Sequence, residues 1–210
     1  MHGLFIVFEG PDGVGKTTQA QMLAKRLAGE GHDVVMTREP GGCRISEKIR
    51  DIILDNANSE MEDITEAMLY AAARAQHVAE VIKPALNMGK TVICDRFVHS
   101  SIVYQGYARG LGEENVLKIN KPALLDVWPD IVIVLNMDAE KAMLRLSGGR
   151  DRLENAGEAF HYKVSEGFSR AAEAEPRALC FNAVLDVDTL SQSIYDNICR
   201  VISKLKGVPL

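Results

Sequence analysis

Gly10-Pro11-Asp12-Gly13-Val14-Gly15-Lys16-Thr17 decides the reading of this chain. The stretch fits G-x-x-x-x-G-K-[ST], and its context is the one that pattern requires. Residues 4–8 before it, Leu-Phe-Ile-Val-Phe, form a short apolar run suited to a buried parallel strand. Residues 16–28 after it carry a helical pattern with Met22, Leu23, Ala24 and Leu27 on the inner side. A loop wrapped around a phosphate must aim several backbone N–H groups inward, and glycines allow that close approach. The helix adds its positive dipole end. Lys16 is expected to place a cation on the β- and γ-phosphates, and Thr17 to offer a hydroxyl to Mg²⁺. A mere tight turn would not need this strand–loop–helix setting.

Outward from the loop, strands alternate with helices. Strands are expected at 34–37, 91–95, 131–135 and 184–187, and helices at 46–54, 63–86, 139–146, 158–174 and 191–204. Residues 100–105 and 113–125 also read as helical. On the long helix, Ile64, Met68, Ala71, Ala75, Val78 and Ile82 form the expected apolar stripe. This alternation calls for an α/β architecture: a doubly wound, five-stranded parallel sheet of the P-loop NTPase type, covered by helices on both faces. Residues 1–210 are expected to form a single domain. The segment 147–157, with glycines, charges and little apolar anchorage, is the expected mobile lid.

Composition limits the rest. The 210 residues are 47% hydrophobic and 25% charged, which suits a soluble globule with a full core. A formal charge of −5 argues against nucleic acid or an anionic membrane surface as partner. No apolar stretch approaches the ~18 residues of a membrane span. Cys43, Cys94, Cys180 and Cys199 are scattered without metal-like spacing, so free thiols in a reducing compartment are expected. The first residues lack a basic region and cleavage site, and a cytoplasmic location is the default expectation. Asn120-Lys121-Pro122-Ala123 begins like a guanine-reading motif but has Ala123 where an aspartate is needed, so a switch GTPase is disfavoured.

Three clusters sharpen the picture. Arg38-Glu39-Pro40-Gly41-Gly42 follows the second strand, and Asp95-Arg96-Phe97 the third, with Ser100, Ser101, Tyr104, Gln105 and Gly106 beyond. Tyr70, Arg74 and Gln76 lie on the long helix. Ligands of open α/β sheets bind beyond the carboxyl ends of the strands, so the loop, Arg38 and Asp95-Arg96 should share one rim. Together with Ala72-Ala73-Arg74-Ala75-Gln76-His77 and Tyr104-Gln105-Gly106, these pieces make the sequence resemble the thymidylate kinase family over essentially the whole chain.

That resemblance implies a reaction, ATP + dTMP → ADP + dTDP with Mg²⁺, serving dTTP supply for DNA synthesis. It also implies roles. Lys16 and the amides of residues 10–17 would hold ATP, and Asp95 with Thr17 would support the metal. Arg38 and Arg96 would grip the dTMP phosphate, with Asp12 near the sugar hydroxyl. Tyr70 would stack on thymine and Arg74 would hydrogen-bond it. Ser101, Tyr104 and Gln105 would read base and sugar. Arg150 and Arg152 resemble the lid arginines of the family's bacterial branch, of which one neutralises charge in the transition state. The resemblance further implies a homodimer joined through apolar helix faces. The sequence departs from the family at Cys43, Ser46 and Ala73, none of them in the expected chemistry. His77 and His99 are expected to be structural. Two rivals remain: another nucleoside monophosphate kinase, and a non-catalytic P-loop protein that regulates a partner by binding nucleotide.

Overall fold

The computed structural model describes residues 3–145 and 151–206. Five strands form one sheet: β1 (Phe5–Glu9), β2 (Val34–Arg38), β3 (Thr91–Asp95), β4 (Ile131–Asn136) and β5 (Ala178–Asn182). Their spatial order is β2-β3-β1-β4-β5, and every pairing is parallel. Around them lie α1 (Lys16–Gly29), α2 (Arg44–Leu54), α3 (Asp63–His77), α4 (Lys83–Asn87), α5 (Val98–Ser101), α6 (Glu113–Asn120), α7 (Ala139–Leu144), α8 (Glu158–Ala174) and α9 (Val187–Lys206).

The period of two along the central strands makes two cores. Phe5 and Val7 of β1, Val92 and Cys94 of β3, and Val132 and Val134 of β4 face α4, α5 and α8, where Leu86, Val98, Val164 and Phe168 complete the packing. Ile6, Phe8, Ile93, Ile133 and Leu135 point to the other face, against Leu23 and Leu27 of α1 and Leu190, Ile194 and Ile198 of α9. Buried on both faces, such strands read as continuous apolar runs, which is why β1, β3 and β4 are visible in the sequence. Each fully buried Ile or Phe contributes about 1.5–3 kcal/mol relative to exposure. The sheet is therefore a rigid base for whatever stands on its rim.

Three expectations need correction. The last strand runs over Ala178–Asn182, not 184–187. It is an edge strand that is only half buried, with Cys180 exposed, so its apolar signal is weak; Val184 and Leu185 lie exposed beyond it. The final helix starts at Val187, four residues before the expected 191, because the Asp186 carboxylate accepts the Thr189 N–H at 3.0 Å and caps it. On the long helix, α3 continues through a π-helical stretch (Val78–Ile82) into α4. Its inward stripe is Ala67, Ala71, Arg74, Val78 and Ile82, while Ile64 and Met68 are 43% and 56% exposed. The inward face is rotated because it carries polar cargo, Glu66, Arg74 and His77, all buried.

The segment expected to be a lid falls partly outside the described residues, and so does Arg150. In what is described, 151–157, Leu153 is 6% exposed within the core that faces α8, and Ala156 packs against that core. No described helix is long and apolar enough to cross a membrane.

Candidate active site

The register brings the expected groups to one rim. Phe8 of β1 and Arg38 of β2 both pair with Asp95 of β3, so the three strand ends are level. Between β1 and α1 the chain turns so tightly that a Cβ at Gly10 would sit 2.3 Å from the Leu135 carbonyl oxygen, and one at Gly13 2.2 Å from that of Ala142. Both glycines have positive φ, 138° and 81°. Lys16 is buried, and its Nζ donates to the Pro11 carbonyl at 2.5 Å. Burial, reinforced by the nearby Arg96 cation, pulls the Lys16 ammonium down to about 8. The Thr17 hydroxyl donates to Asp95 Oδ2, and Asp95 Oδ1 is buried with no hydrogen-bond partner among the described residues. These groups line a cavity together with Arg38, Glu39, Arg50 and Arg96.

Beyond Asp95 the backbone turns sharply. Arg96 has φ 70°, left-handed for a bulky residue and costly by about 1–3 kcal/mol. The turn is held by a backbone bond, Arg96 N–H to the Phe8 carbonyl at 2.8 Å. The buried Glu9 carboxylate supports it further, accepting from the N–H groups of Phe97 (2.8 Å) and Ser100 (3.2 Å) and from the Ser100 hydroxyl (2.6 Å). Burial pushes the Glu9 carboxyl up, more than His99, Ser100 and Arg96 pull it down. So held, the Arg96 guanidinium donates to the Gly10 carbonyl (3.0 Å), Ser100 Oγ (3.1 Å), the Tyr104 hydroxyl (3.2 Å) and Asp12. The Tyr104 hydroxyl in turn donates to Asp12 Oδ2 at 2.7 Å. Burial alone would raise Asp12, but the Arg96 and Lys16 cations and these hydrogen bonds outweigh it and hold the carboxyl below the usual range.

Next to the phosphate loop lies a second cavity, sharing Asp12, Glu39, Arg50 and Arg96 with the first. Its further lining includes Leu54, Tyr70, Arg74, Phe97, Tyr104, Gln105, Asp151 and Leu153. Arg74, 1% exposed, is clamped on several sides. Its Nε donates to Glu39 Oε2 (2.8 Å), its Nη1 to Ser101 Oγ (3.1 Å) and Asn120 Oδ1, and its Nη2 to the Phe97 carbonyl (3.1 Å). A guanidinium has five N–H groups, so one on Nη2 remains to offer. Gln105 donates from Nε2 to Glu66 Oε1 at 2.8 Å, and its Oε1 is buried without a partner among the described residues. Burial also raises the Tyr70 hydroxyl well above its ordinary value, so the ring is presented neutral.

The structure thus brings Lys16, Thr17, Asp95, Asp12, Arg38 and Arg96 to the phosphate cavity, and Tyr70, Arg74, Tyr104 and Gln105 to its neighbour. Arg38 stands at the rim, 47% exposed, with Nη2 donating to both Glu47 carboxylate oxygens. Ser101 is buried behind Arg74 and does not line the cavity. Arg152 lines neither cavity; it bonds Glu66 and the Ile53 carbonyl. His77 is buried between Glu39 and Thr37, and His99 between Glu9 and Glu175.

Four supporting residues escaped the sequence reading. Glu66 is one and two helical turns before Tyr70 and Arg74, a spacing of four that could have flagged it. Arg50 shares one face of α2 with Ser46 and Ile53, which are buried, and a cation on that face was a signal. Asn120 lies in the stretch 113–125 expected to be helical, where it opens the Asn-Lys-Pro-Ala run that departs from a guanine motif. Asp151 had no signal beyond its place in the expected lid.

A phosphate loop on a central parallel strand, a carboxylate at the next strand end, and an adjoining second cavity lined by Arg74 and the shared Arg50 and Arg96 define an ATP-dependent nucleoside monophosphate kinase. Residues 8–194 match the family model described as thymidylate kinase. A thymidylate kinase of Exiguobacterium sibiricum is 44% identical over 209 residues, 98% of this chain and 97% of its own. One of Lactobacillus delbrueckii subsp. bulgaricus is 50% identical over 181 residues, covering 84% and 85%. The crystal structure of thymidylate kinase from Ehrlichia chaffeensis superposes with a TM-score of 0.76 at 31% identity, covering 94% of this chain and 99% of that one. The chain belongs to the thymidylate kinase family.

Proposed function

We propose that the chain transfers the γ-phosphoryl group of ATP to the phosphate of dTMP, giving ADP and dTDP. The observation that carries the choice of base is the pair left open in the second cavity. Arg74 offers one N–H, and Gln105 offers a buried carbonyl oxygen whose orientation is fixed because Nε2 faces a carboxylate that can only accept. A donor and an acceptor in the lining of one cavity suit thymine, which carries a carbonyl O4 next to an N3–H. Cytosine carries the reverse, an amino group next to a bare N3, and would leave both protein groups opposed by like ones. Titration calorimetry tests this. dTMP is expected to bind about a hundredfold more tightly than dCMP, and equal affinities would remove the base assignment.

Phosphoryl transfer needs alignment and charge neutralisation more than covalent help. Lys16 and the backbone N–H groups of the loop Gly10-Pro11-Asp12-Gly13-Val14-Gly15-Lys16-Thr17, all but that of Pro11, which has none, hold the donor phosphates. Arg96, locked by Asp12, Ser100 and Tyr104, grips the acceptor phosphate, with Arg38 and Arg50 at its edges. Asp12 and Tyr104 close off the sugar end, and Tyr70 presents its ring to the base. Ser101 acts through Arg74. Arg150 supplies the transition-state cation.

The residues present fit Mg²⁺: a threonine hydroxyl, one carboxylate with a free buried oxygen, and room for phosphate oxygens. Thr17 and Asp95 would hold it, and the ion would neutralise phosphate charge. Homodimerisation is supported by the exposed Ile45 and Ile52 on α2 beside Ile64 and Met68 on α3, helices that pack on each other. Light scattering reads this directly, and a monomer at micromolar concentration would contradict it. A cytoplasmic location fits this use of ATP and dTMP, and cell fractionation checks it.

A further inference from the structure

Glu66 is fully buried in the first turn of α3, one turn before Tyr70, and its carboxylate is shared unequally. Among the described residues Oε1 accepts from Gln105 Nε2 alone, at 2.8 Å, while Oε2 accepts from Arg152 Nη2 at 2.5 Å and Arg109 Nη2 at 3.2 Å. Arg152 is tied at two more points, its Nε to the Ile53 carbonyl (2.8 Å) and its backbone N–H to that of Leu54 (3.1 Å). Its neighbours Asp151 and Leu153 form part of the wall of the second cavity.

We propose that Glu66 is a positioning residue for base selection: it fixes the Gln105 amide with its oxygen toward the base, and through Arg152 the same carboxylate seats the cavity wall at 151–153. The inference deepens the thymidylate reading and rests on it. An amide has a donor end and an acceptor end of nearly equal shape, so packing alone cannot choose between them. A carboxylate can, because it accepts and never donates while ionised. Two guanidinium groups on the far oxygen keep the charge in place in a buried setting where a lone carboxylate would be costly. Arg152 is then part of the acceptor pocket's frame rather than the cation of the transition state.

Glu66→Gln separates this from a general structural role. With the new amide oxygen drawn to the two guanidinium groups, its NH₂ faces Gln105, and Gln105 must turn its own NH₂ toward the base. A donor then meets the thymine N3–H. Expected is a fall of about ten- to a hundredfold in kcat/KM for dTMP without a fall for dCMP, so that the ratio of the two drops. Equal losses on both substrates, or an unchanged ratio beside a wild-type preference for dTMP, would overturn the proposal. A wild-type protein with no preference for dTMP would overturn the function reading itself. Should Glu66→Gln not fold, Arg152→Met decides the second half. The expected change is mainly a rise in KM for dTMP, about tenfold, partly restored in Arg152→Lys. A loss of about a thousandfold in kcat with KM unchanged would place Arg152 in the reaction instead.

Discussion

Glu39→Gln tests whether the acceptor pocket is built on a buried ion pair. Glu39 and Arg74 meet at 2.8 Å with side chains 3% and 1% exposed, and the other carboxylate oxygen faces His77 Nδ1 at 3.1 Å. Two unit charges about 4 Å apart attract by about 4 kcal/mol at an effective dielectric near 20. The glutamine retains a neutral hydrogen bond, and Arg74 keeps Ser101, Asn120 and the Phe97 carbonyl. The net loss should therefore be about 3 kcal/mol, at the low end of what breaking a buried pair costs. With a urea slope of about 2–3 kcal/mol per molar, the midpoint should fall by roughly 1–1.5 M. By the same reckoning, Tm should drop about 6–12 °C. Adding Arg74→Met should recover part of the loss, because the uncompensated cation is removed. Urea denaturation followed by circular dichroism measures all three variants. A loss below about 1 kcal/mol in Glu39→Gln, or a double variant as unstable as the sum of its parts, would refute the reasoning.

Lys16 gives a pH dependence. Its pKa in the free protein is about 8, so the cation is present below that pH and lost above it. The kcat/KM for Mg-ATP should fall with a slope approaching −1 above about pH 8, whereas a profile flat to pH 10 would contradict the buried-lysine argument. Asp95→Asn keeps an acceptor for Thr17 but removes the charge beside the open oxygen. Half-saturating Mg²⁺ in the ADP-release assay should rise about ten- to a hundredfold, and an unchanged titration would take Asp95 out of the metal site. Arg150→Ala should lower kcat by about a thousandfold with little change in either KM. Near-normal kcat would send the search for the transition-state cation elsewhere.

Much of this was legible because the strands that carry the chemistry are buried on both faces. The runs ending at Glu9 and Asp95 stand out as apolar blocks, and the loop after the first has a spacing set by phosphate geometry. The edge strand at Ala178–Asn182 was misplaced because one side of it meets solvent and its pattern is broken by Cys180 and Asn182. The long helix was read as apolar on the wrong stripe, since periodicity counts hydrophobic residues and its true inner face carries Glu66, Arg74 and His77. Residues that act through others were the hardest to see. Asn120 and Glu66 reach the site through other side chains, Asn120 through Arg74 and Glu66 through Gln105 and Arg152, partners 46, 39 and 86 positions away, and no local pattern encodes such contacts. Arg150 and Arg152 are two residues apart and looked equivalent; the hydrogen bonds of Arg152 to Glu66 and Ile53 give that residue a different setting.

The most direct test is a coupled ADP-release assay with Mg-ATP against dTMP, dUMP, UMP, CMP, AMP and GMP. Strong turnover with dTMP, weak turnover with dUMP and none of note with the ribonucleotides is the expected result. Preferred turnover of a ribonucleotide would overturn the acceptor pocket described above, and tight ATP binding without transfer to any monophosphate would overturn the kinase reading altogether.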